Sequence, residues 1–506
     1  MSEPFGTRDL HRRAGLLGLP VGAAEESAVL ELVTDILDVV GGLDAPSDPA
    51  AAQPGWPVRD PTPEDDPLNA VTLWTDVEPT TDGPLNGMRV AVKDSVAVAG
   101  LPLSAGSALL TGFVPSTDAA AVARLRAAGA RVVAVARMDE FGLSAGGDAG
   151  LGGPVRNPFD TTRTAGGSSA GCAAALHYPG VDVAIGADQG GSIRVPASWC
   201  GVLGLKPTHG LVPCTGTVGI DHTVDHVGPL ARTVEDLAAV LQVIAGRDPD
   251  DPRQPRTPPP SDYLAAVGSA PSGLAGVRLG VVRQGLDGAT PPVADALRRT
   301  VRNLRDLGAA VTEVDLPEHA EAGPLAFGTT VEGMAALFEA GGNGYQWSGR
   351  YWPELAARIH AAWPDQAANL GPAAKAVLIA GSHLRAAHRG ERYATAQNGR
   401  PRLVAAYERA LDGLDALVLP TTPGLPHPVD EPSDTERVRR GWAVLANTVP
   451  TDLTGHPALS LPLAEADGLP VGVMLVGRPF TEARLLRIAA TCEQAGQFSA
   501  TRPRGT

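Results

Sequence analysis

Lysine is almost missing from this 506-residue chain: of its 41 Lys and Arg residues only three are lysine, Lys93, Lys206 and Lys375. A lysine kept against such a bias is a candidate for chemistry that arginine cannot do, because a guanidinium does not release its proton near neutral pH. Cysteine is scarce too. Cys172, Cys200, Cys214 and Cys492 show no Cys-x-x-Cys spacing and are too few to staple a chain of this length, which fits a reducing compartment and buried apolar thiols. No run of eighteen apolar residues exists, so no helical membrane span is expected. The opening MSEPFGTRDLHRRAGLLGLP carries charges where a secretory apolar core would stand, so no signal peptide is expected and a cytoplasmic location is. A formal net charge of −15 argues against a nucleic-acid partner, since a phosphate backbone needs a basic face; it suits an enzyme of small molecules.

What is present reads as a folded α/β protein. Residues 23–40, AAEESAVLELVTDILDVV, place Val29, Leu32, Val33, Ile36, Leu37 and Val40 at helical spacing with acids early, which predicts an amphipathic helix. From 44 to 67 proline and acid crowd the chain, the composition of an extended linker. In NGMRVAVKD, Met88, Val90 and Val92 alternate with Arg89, Ala91 and Lys93 as in a strand. Residues 119–140 then predict a helix, a Gly turn and a strand, and 166–188 a Gly-rich turn, a helix of small residues and a strand. A Pro-rich break at 248–262 precedes a second strand, helix, strand unit. Residues 319–410 read as mostly helical, 414–426 and 469–480 as strands, and the stretch EARLLRIAATCEQA as a closing helix. No internal repeat is visible.

Three candidate serines lie in two Gly-rich stretches: Ser168 and Ser169 in TAGGSSAG, and Ser192 in DQGGSIR. GSSAG matches the G-x-S-x-G elbow with Ser169 at its centre, but an elbow follows an apolar strand, and NPFDTTRTA is polar and turn-like. A phosphate loop is equally poor, because no G-K-[ST] follows. A serine nucleophile needs a base, and histidine, a neutral lysine or a relay through a second hydroxyl can serve. No histidine lies in ADQGGSIRVPASWCG. Lys93 ends an apolar strand, where desolvation would lower its pKa from about 10.4 towards neutrality.

Together, GMRVAVKD, TAGGSSAGCAAAL and GADQGGSIRVPASWCGVLGLKPTHG resemble the amidase signature family of serine hydrolases. The resemblance covers roughly residues 70–495, including TVDHVGPLARTVED, LVLPTTP and NTVPTDLTGHPALSLP. It implies an α/β fold with a large mixed β-sheet covered by helices on both faces. It also implies Ser192 as the acylated nucleophile, Ser168 as a bridging serine after a cis peptide bond from Gly167, and Lys93 as the base acting through Ser168. The backbone N–H groups of Gln189, Gly190, Gly191 and Ser192 match the family's oxyanion hole. Neither metal nor cofactor is implied. The commoner family residue at 189 is Thr, and the Gln variant resembles a subgroup of broad-specificity bacterial amidases with an N-terminal helical region used in dimerisation. Ala170 replaces the usual glycine of GGSSGG.

Other residues have plainer readings. Asp188 and Arg194 flank the second turn and are expected to hold it by hydrogen bonds and charge. Ser169 is expected to hydrogen-bond within its turn, in support of Ser168, and Lys206 to be structural. His222 and His226, with His209 and Cys214 nearby, suggest zinc, but Gly219, Gly228 and Pro229 interrupt the helix that such spacing requires. Tyr345, Trp347, Tyr351, Trp352 and Trp363 are dense for a chain that is 4% aromatic. Helix packing accounts for them; the alternative, carried by the resemblance, makes Tyr345, Trp347, Tyr351 and Trp352 a wall of the substrate pocket.

The expectations are therefore an N-terminal helical region and linker over 1–68, mediating a homodimer or higher homo-oligomer, and a catalytic domain over 69–500 with its pocket region at 319–410. The expected activity is hydrolysis of the C–N bond of small or medium carboxamides. Two alternatives share the triad: a carbamate or aryl ester hydrolase, and an amidotransferase A-type subunit that acts on glutamine beside partner chains.

Overall fold

The computed structural model describes residues 5–41, 43, 55–255 and 257–498. The chain divides into two compact units, Met1–Ser47 and Asp48–Thr506.

The first unit holds two helices, Thr7–Leu17 and Glu26–Gly41. The earlier one, unforeseen in the sequence, closes on Gly18 in the left-handed region, whose N–H returns to the Ala14 and Gly15 carbonyls. The later one is the helix expected over 23–40. No side chain on it is fully buried, and Leu32, Ile36, Leu37, Val39 and Val40 are all exposed.

The linker expectation needs correction. Residues 44–54 lie outside the described residues, but 55–67 belong to the second unit and pack onto it. Gly55 N–H donates to Gly100 O at 2.8 Å and Trp56 Nε1 to Ala99 O at 3.0 Å. Buried Asp66 accepts from Ala70 N–H, Val71 N–H and the Tyr178 hydroxyl. Proline and acid here mark an extended segment held against the body by backbone and side-chain bonds, which composition alone does not separate from a free linker.

The second unit is built on one twelve-stranded sheet among the described residues. Its strands are β1 (Val58–Arg59), β2 (Val71–Val77), β3 (Arg89–Lys93), β4 (Arg131–Ala136), β5 (Val183–Asp188) and β6 (Leu203–Lys206). After them come β7 (His226–Ala231), β8 (Arg278–Val282), β9 (Ala310–Val314), β10 (Ala416–Pro420), β11 (Ala458–Ala466) and β12 (Leu469–Val476). The order across the sheet is β1-β2-β4-β3-β5-β7-β6-β11-β12-β10-β8-β9. β3 runs parallel to both β4 and β5, β8 parallel to β9 and β10, and the remaining pairs are antiparallel.

Helices cover both faces, and the side chains show why. Val90, Val92, Val132, Val183 and Ile185 join one core with Val122 and Leu125 of the helix Ala120–Ala127. Their neighbours Ala91, Ala134 and Ala184 point the other way, into a core with the helix Ala170–Ala175. Alanines on that face leave room for a helix whose Gly171 comes against the Ala70 and Arg137 backbone. Strand β3 is thus buried on both faces, from Val90 through Lys93. At the far edge β9 is mostly exposed and carries Thr312 and Glu313, as a solvent-facing edge strand should. The stretch 319–410 is helical as expected, with Ala322–Glu339, Pro353–Gln366, Pro372–His388 and Glu391–Ala410; proline opens two of these helices, where its missing N–H costs nothing. Among the described residues no helix is long and apolar enough to cross a membrane.

Candidate active site

Neighbouring strands β3 and β5 bring the two serine turns to one lysine. Lys93 is the last residue of β3, and β5 ends at Asp188, directly before the second turn. Lys93 is 1% exposed, and its Nζ donates to Ser168 Oγ at 2.8 Å and to Ala187 O at 3.1 Å. Burial lowers its pKa from 10.5 to about 8, so that roughly a tenth of the amine is neutral at pH 7 and able to take a proton.

The peptide bond from Gly167 to Ser168 is cis. Beneath that turn sits Asp139, which sequence reasoning did not single out. Its carboxylate accepts from Gly147 N–H at 2.9 Å and Ala149 N–H at 2.8 Å, and its own N–H donates to Ser168 O at 3.3 Å. A β-carbon on Gly167 would collide with Asp139 Oδ2, so only glycine fits above it. Burial, with the charge of Asp148 added, pushes the Asp139 pKa up to about 7.

Ser169 ties the two turns together. Its Oγ donates to Ala187 O at 3.1 Å, and its N–H donates to Ser192 O at 3.1 Å. Ser192 stands just before the short helix Arg194–Trp199 and is 4% exposed. None of the N–H groups of Gln189, Gly190, Gly191 and Ser192 donates to another described residue. Four consecutive unpaired donors in a buried segment are costly unless something negative is meant to sit there.

Charge holds that segment in shape. Arg194, fully buried, donates through Nε and Nη2 to both oxygens of Asp188 at 3.0 and 2.9 Å, and through Nη2 to Asp452 at 2.6 Å. Its Nη1 reaches Thr448 O at 2.9 Å and Thr451 Oγ1 at 2.6 Å. Asp188 also accepts from Ile193 N–H at 2.9 Å. Burial opposes its ionisation, but the Arg194 charge overcomes that and holds Asp188 well below the usual carboxylate range. Burial and the Asp188 charge push the Asp452 pKa the other way, against the lowering effect of Arg194 and Lys206. Thr448 Oγ1 donates to Gly190 O at 2.5 Å and lies where a side chain at Gly191 would go; Gly191 has φ 149°.

A cavity of about 260 Å³ opens over Ser192 and Gln189. Its walls are apolar, chiefly Leu143, Ile220, Phe327, Val377, Trp442 and Leu445, and none of its lining residues is charged. Trp442 donates its Nε1–H to Leu143 O at 2.9 Å and meets Phe327 edge-on, ring centres 5.4 Å apart. The helix Ala322–Glu339 supplies one wall, so part of the 319–410 stretch does face the serine.

The aromatic residues expected at the pocket do not. Tyr345 is 80% exposed; Trp347 stacks on His222 at 4.0 Å; Tyr351 Oη accepts from Trp347 N–H; Trp352 packs on Phe113. None of the four lines the Ser192 cavity, and Trp347 and Trp352 border a separate small hollow with Asp225 and Arg253. The two tryptophans pack around that hollow, and the two tyrosines stand partly or largely in solvent. Lys206 Nζ, fully buried, donates to His226 Nε2 at 3.2 Å and Pro207 O at 3.1 Å, while His226 Nδ1 donates to Val224 O at 2.7 Å. Both ring nitrogens of His226 are therefore engaged within the protein.

Over residues 70–486 the chain matches the Amidase family. It is 37% identical over 447 residues to the enantioselective amidase of Rhodococcus rhodochrous, covering 87% of this chain and 85% of that one. It is also 37% identical over 428 residues to the A-type subunit of glutamyl-tRNA(Gln) amidotransferase from Symbiobacterium thermophilum, covering 83% and 85%. The solved structure of native peptide amidase from Stenotrophomonas maltophilia matches with a TM-score of 0.69 at 32% identity, over 84% of this chain and 85% of that chain.

Proposed function

The chain belongs to the amidase signature family of hydrolases, and from there we propose that it is a self-sufficient amidohydrolase of small, uncharged carboxamides, working through an acyl-enzyme on Ser192. The observation that carries this reading is the uncharged apolar cavity over Ser192, floored by a segment of unpaired N–H groups.

In the proposed cycle neutral Lys93 takes the proton of Ser168 Oγ, which takes that of Ser192 as Ser192 attacks the amide carbonyl. The oxyanion that forms is met by the N–H groups of residues 189–192; removing one such donor typically costs on the order of a hundredfold to a thousandfold in rate. Collapse returns the proton through Ser168 to the leaving nitrogen, and water then releases the acid by the same relay. Asp188 and Arg194 position the second turn without reacting.

Relatives of both kinds, amidases and amidotransferase subunits, are equally similar in sequence, so identity does not choose between them. The cavity lining favours the amidase reading. Glutamine carries an α-ammonium and an α-carboxylate, and this cavity offers neither a partner, so each charge would be desolvated unpaired. The exposed apolar side chains of Glu26–Gly41 support self-association through the N-terminal helices. Four free cysteines, three of them buried, support a reducing, cytoplasmic location.

The test is release of ammonia by the purified chain without partners. Benzamide is expected to be turned over, and L-glutamine to be at least about a hundredfold poorer in kcat/KM, given the cost of burying unpaired charge. Turnover of glutamine alone would overturn the reading.

A further inference from the structure

The side chain of Gln189 is left over by this account, which uses only its backbone N–H. Gln189 is 8% exposed and lines the catalytic cavity. Its carboxamide makes no hydrogen bond to any described residue. The carboxamide atoms reach the cavity, where they are free to pair with a polar group of a bound ligand.

The position of its oxygen says which part of a ligand. Gly142, held at φ 73°, has no side chain, and the point where its β-carbon would stand is 3.3 Å from Ser168 Oγ, 3.5 Å from Ile220 Cδ1 and 3.7 Å from Gln189 Oε1. The bridging hydroxyl and the carboxamide oxygen thus border one gap, kept open by the missing side chain. In the proposed cycle Ser168 hands its proton to the leaving nitrogen, so the leaving group occupies that side of the cavity.

We infer that Gln189 is a specificity residue for the leaving group: its carboxamide oxygen accepts a hydrogen bond from an N–H of the scissile amide. When the tetrahedral intermediate collapses, the oxyanion lone pair re-forms the carbonyl and the C–N bond electrons pass to nitrogen. Nitrogen takes the proton of Ser168 Oγ, and Ser168 is reprotonated by the Lys93 ammonium. An N–H held by Gln189 turns the nitrogen lone pair towards Ser168. An ester leaving oxygen has no hydrogen to give, so the contact favours amides and carbamates bearing N–H over esters of the same acid. The inference rests on the amidohydrolase reading and goes further, to the leaving-group class.

The experiment compares kcat/KM for benzamide and methyl benzoate on single preparations of wild type and Gln189→Met, a change of similar volume that removes the acceptor. Because both substrates are read on one preparation, the ratio does not depend on how much of the variant is folded. The amide-to-ester ratio is expected to fall about tenfold to a hundredfold, the usual effect of leaving a donor unpaired in a buried site. An equal loss on both substrates, or no loss on the amide, would overturn the inference while leaving the Ser192 mechanism intact. Absence of wild-type turnover of either substrate would overturn both.

Discussion

Lys93 Nζ sits 2.8 Å from Ser168 Oγ, two side chains brought together across 75 positions of chain by the end of one strand and a glycine turn. The lysine is nearly sealed from water, and Ser168 Oγ and Ala187 O are its hydrogen-bond partners. Burial therefore favours the neutral amine, and the chemistry proposed for the site follows from that preference.

The pH dependence should show it. Lys93 must be neutral to accept a proton, and its pKa is lowered to about 8, so log kcat/KM for an uncharged amide should rise with unit slope up to about pH 8 and then level. Lys93→Arg should be inactive throughout, since arginine keeps its proton. A profile flat from pH 6 to 8 would contradict the assignment.

Gly142→Ala would put a methyl group 3.3 Å from Ser168 Oγ on a backbone at φ 73°. The left-handed conformation should cost about 1 kcal/mol of stability, and displacement of the relay should lower kcat about tenfold to a hundredfold. Urea unfolding and steady-state kinetics measure the two effects separately. An unchanged kcat would mean the gap over Gly142 plays no part in the relay.

Arg194→Met would leave Asp188 and Asp452 buried without their shared cation. Breaking a buried pair in this way costs about 3–5 kcal/mol, so the urea midpoint should drop sharply and Ser192 should lose reactivity even without denaturant. A midpoint within error of wild type would show that the cluster does not hold the second turn.

The cavity predicts its own exclusions. With no charged lining residue, 4-carboxybenzamide should be at least about a hundredfold poorer than benzamide in kcat/KM, the cost of desolvating an unpaired carboxylate. Equal rates would place the acyl group outside this cavity.

Self-association is tested by truncation, and the structure says where to cut. A start at Leu68 would remove β1 and Asp66, which belong to the catalytic unit. A chain starting at Asp48 should keep the wild-type kcat/KM and sediment as a smaller species than the full chain. The same oligomer from both would show that the N-terminal helices are not the interface.

Much of the site could be read from sequence because its residues sit in short local motifs: a lysine closing an apolar strand, and two glycine turns each built around a serine. The partners of Arg194 were also within reach, since Thr448, Thr451 and Asp452 lie in NTVPTDLTGHP, part of the family resemblance. The cavity was not. Leu143, Ile220, Phe327, Val377 and Trp442 come from separate segments, and no spacing announces that tertiary packing will gather them. The aromatic density at 345–352 pointed elsewhere, to rings that pack on His222 and Phe113. Strand β11 was missed because Pro462 interrupts its pattern; the structure places that proline at a register shift between Leu461 and Ala464, where a strand tolerates one. Asp139 carried no signal, since neither of the two adjacent acids in RMDEF shows from sequence that a loop will fold over it.

The most direct test of the account is intact-protein mass after incubation with a fluorophosphonate, on wild type and on Ser192→Ala. One adduct on wild type that vanishes in the variant is the predicted result. An adduct that persists in Ser192→Ala, or none on wild type across pH 6 to 9, would contradict Ser192 as the nucleophile.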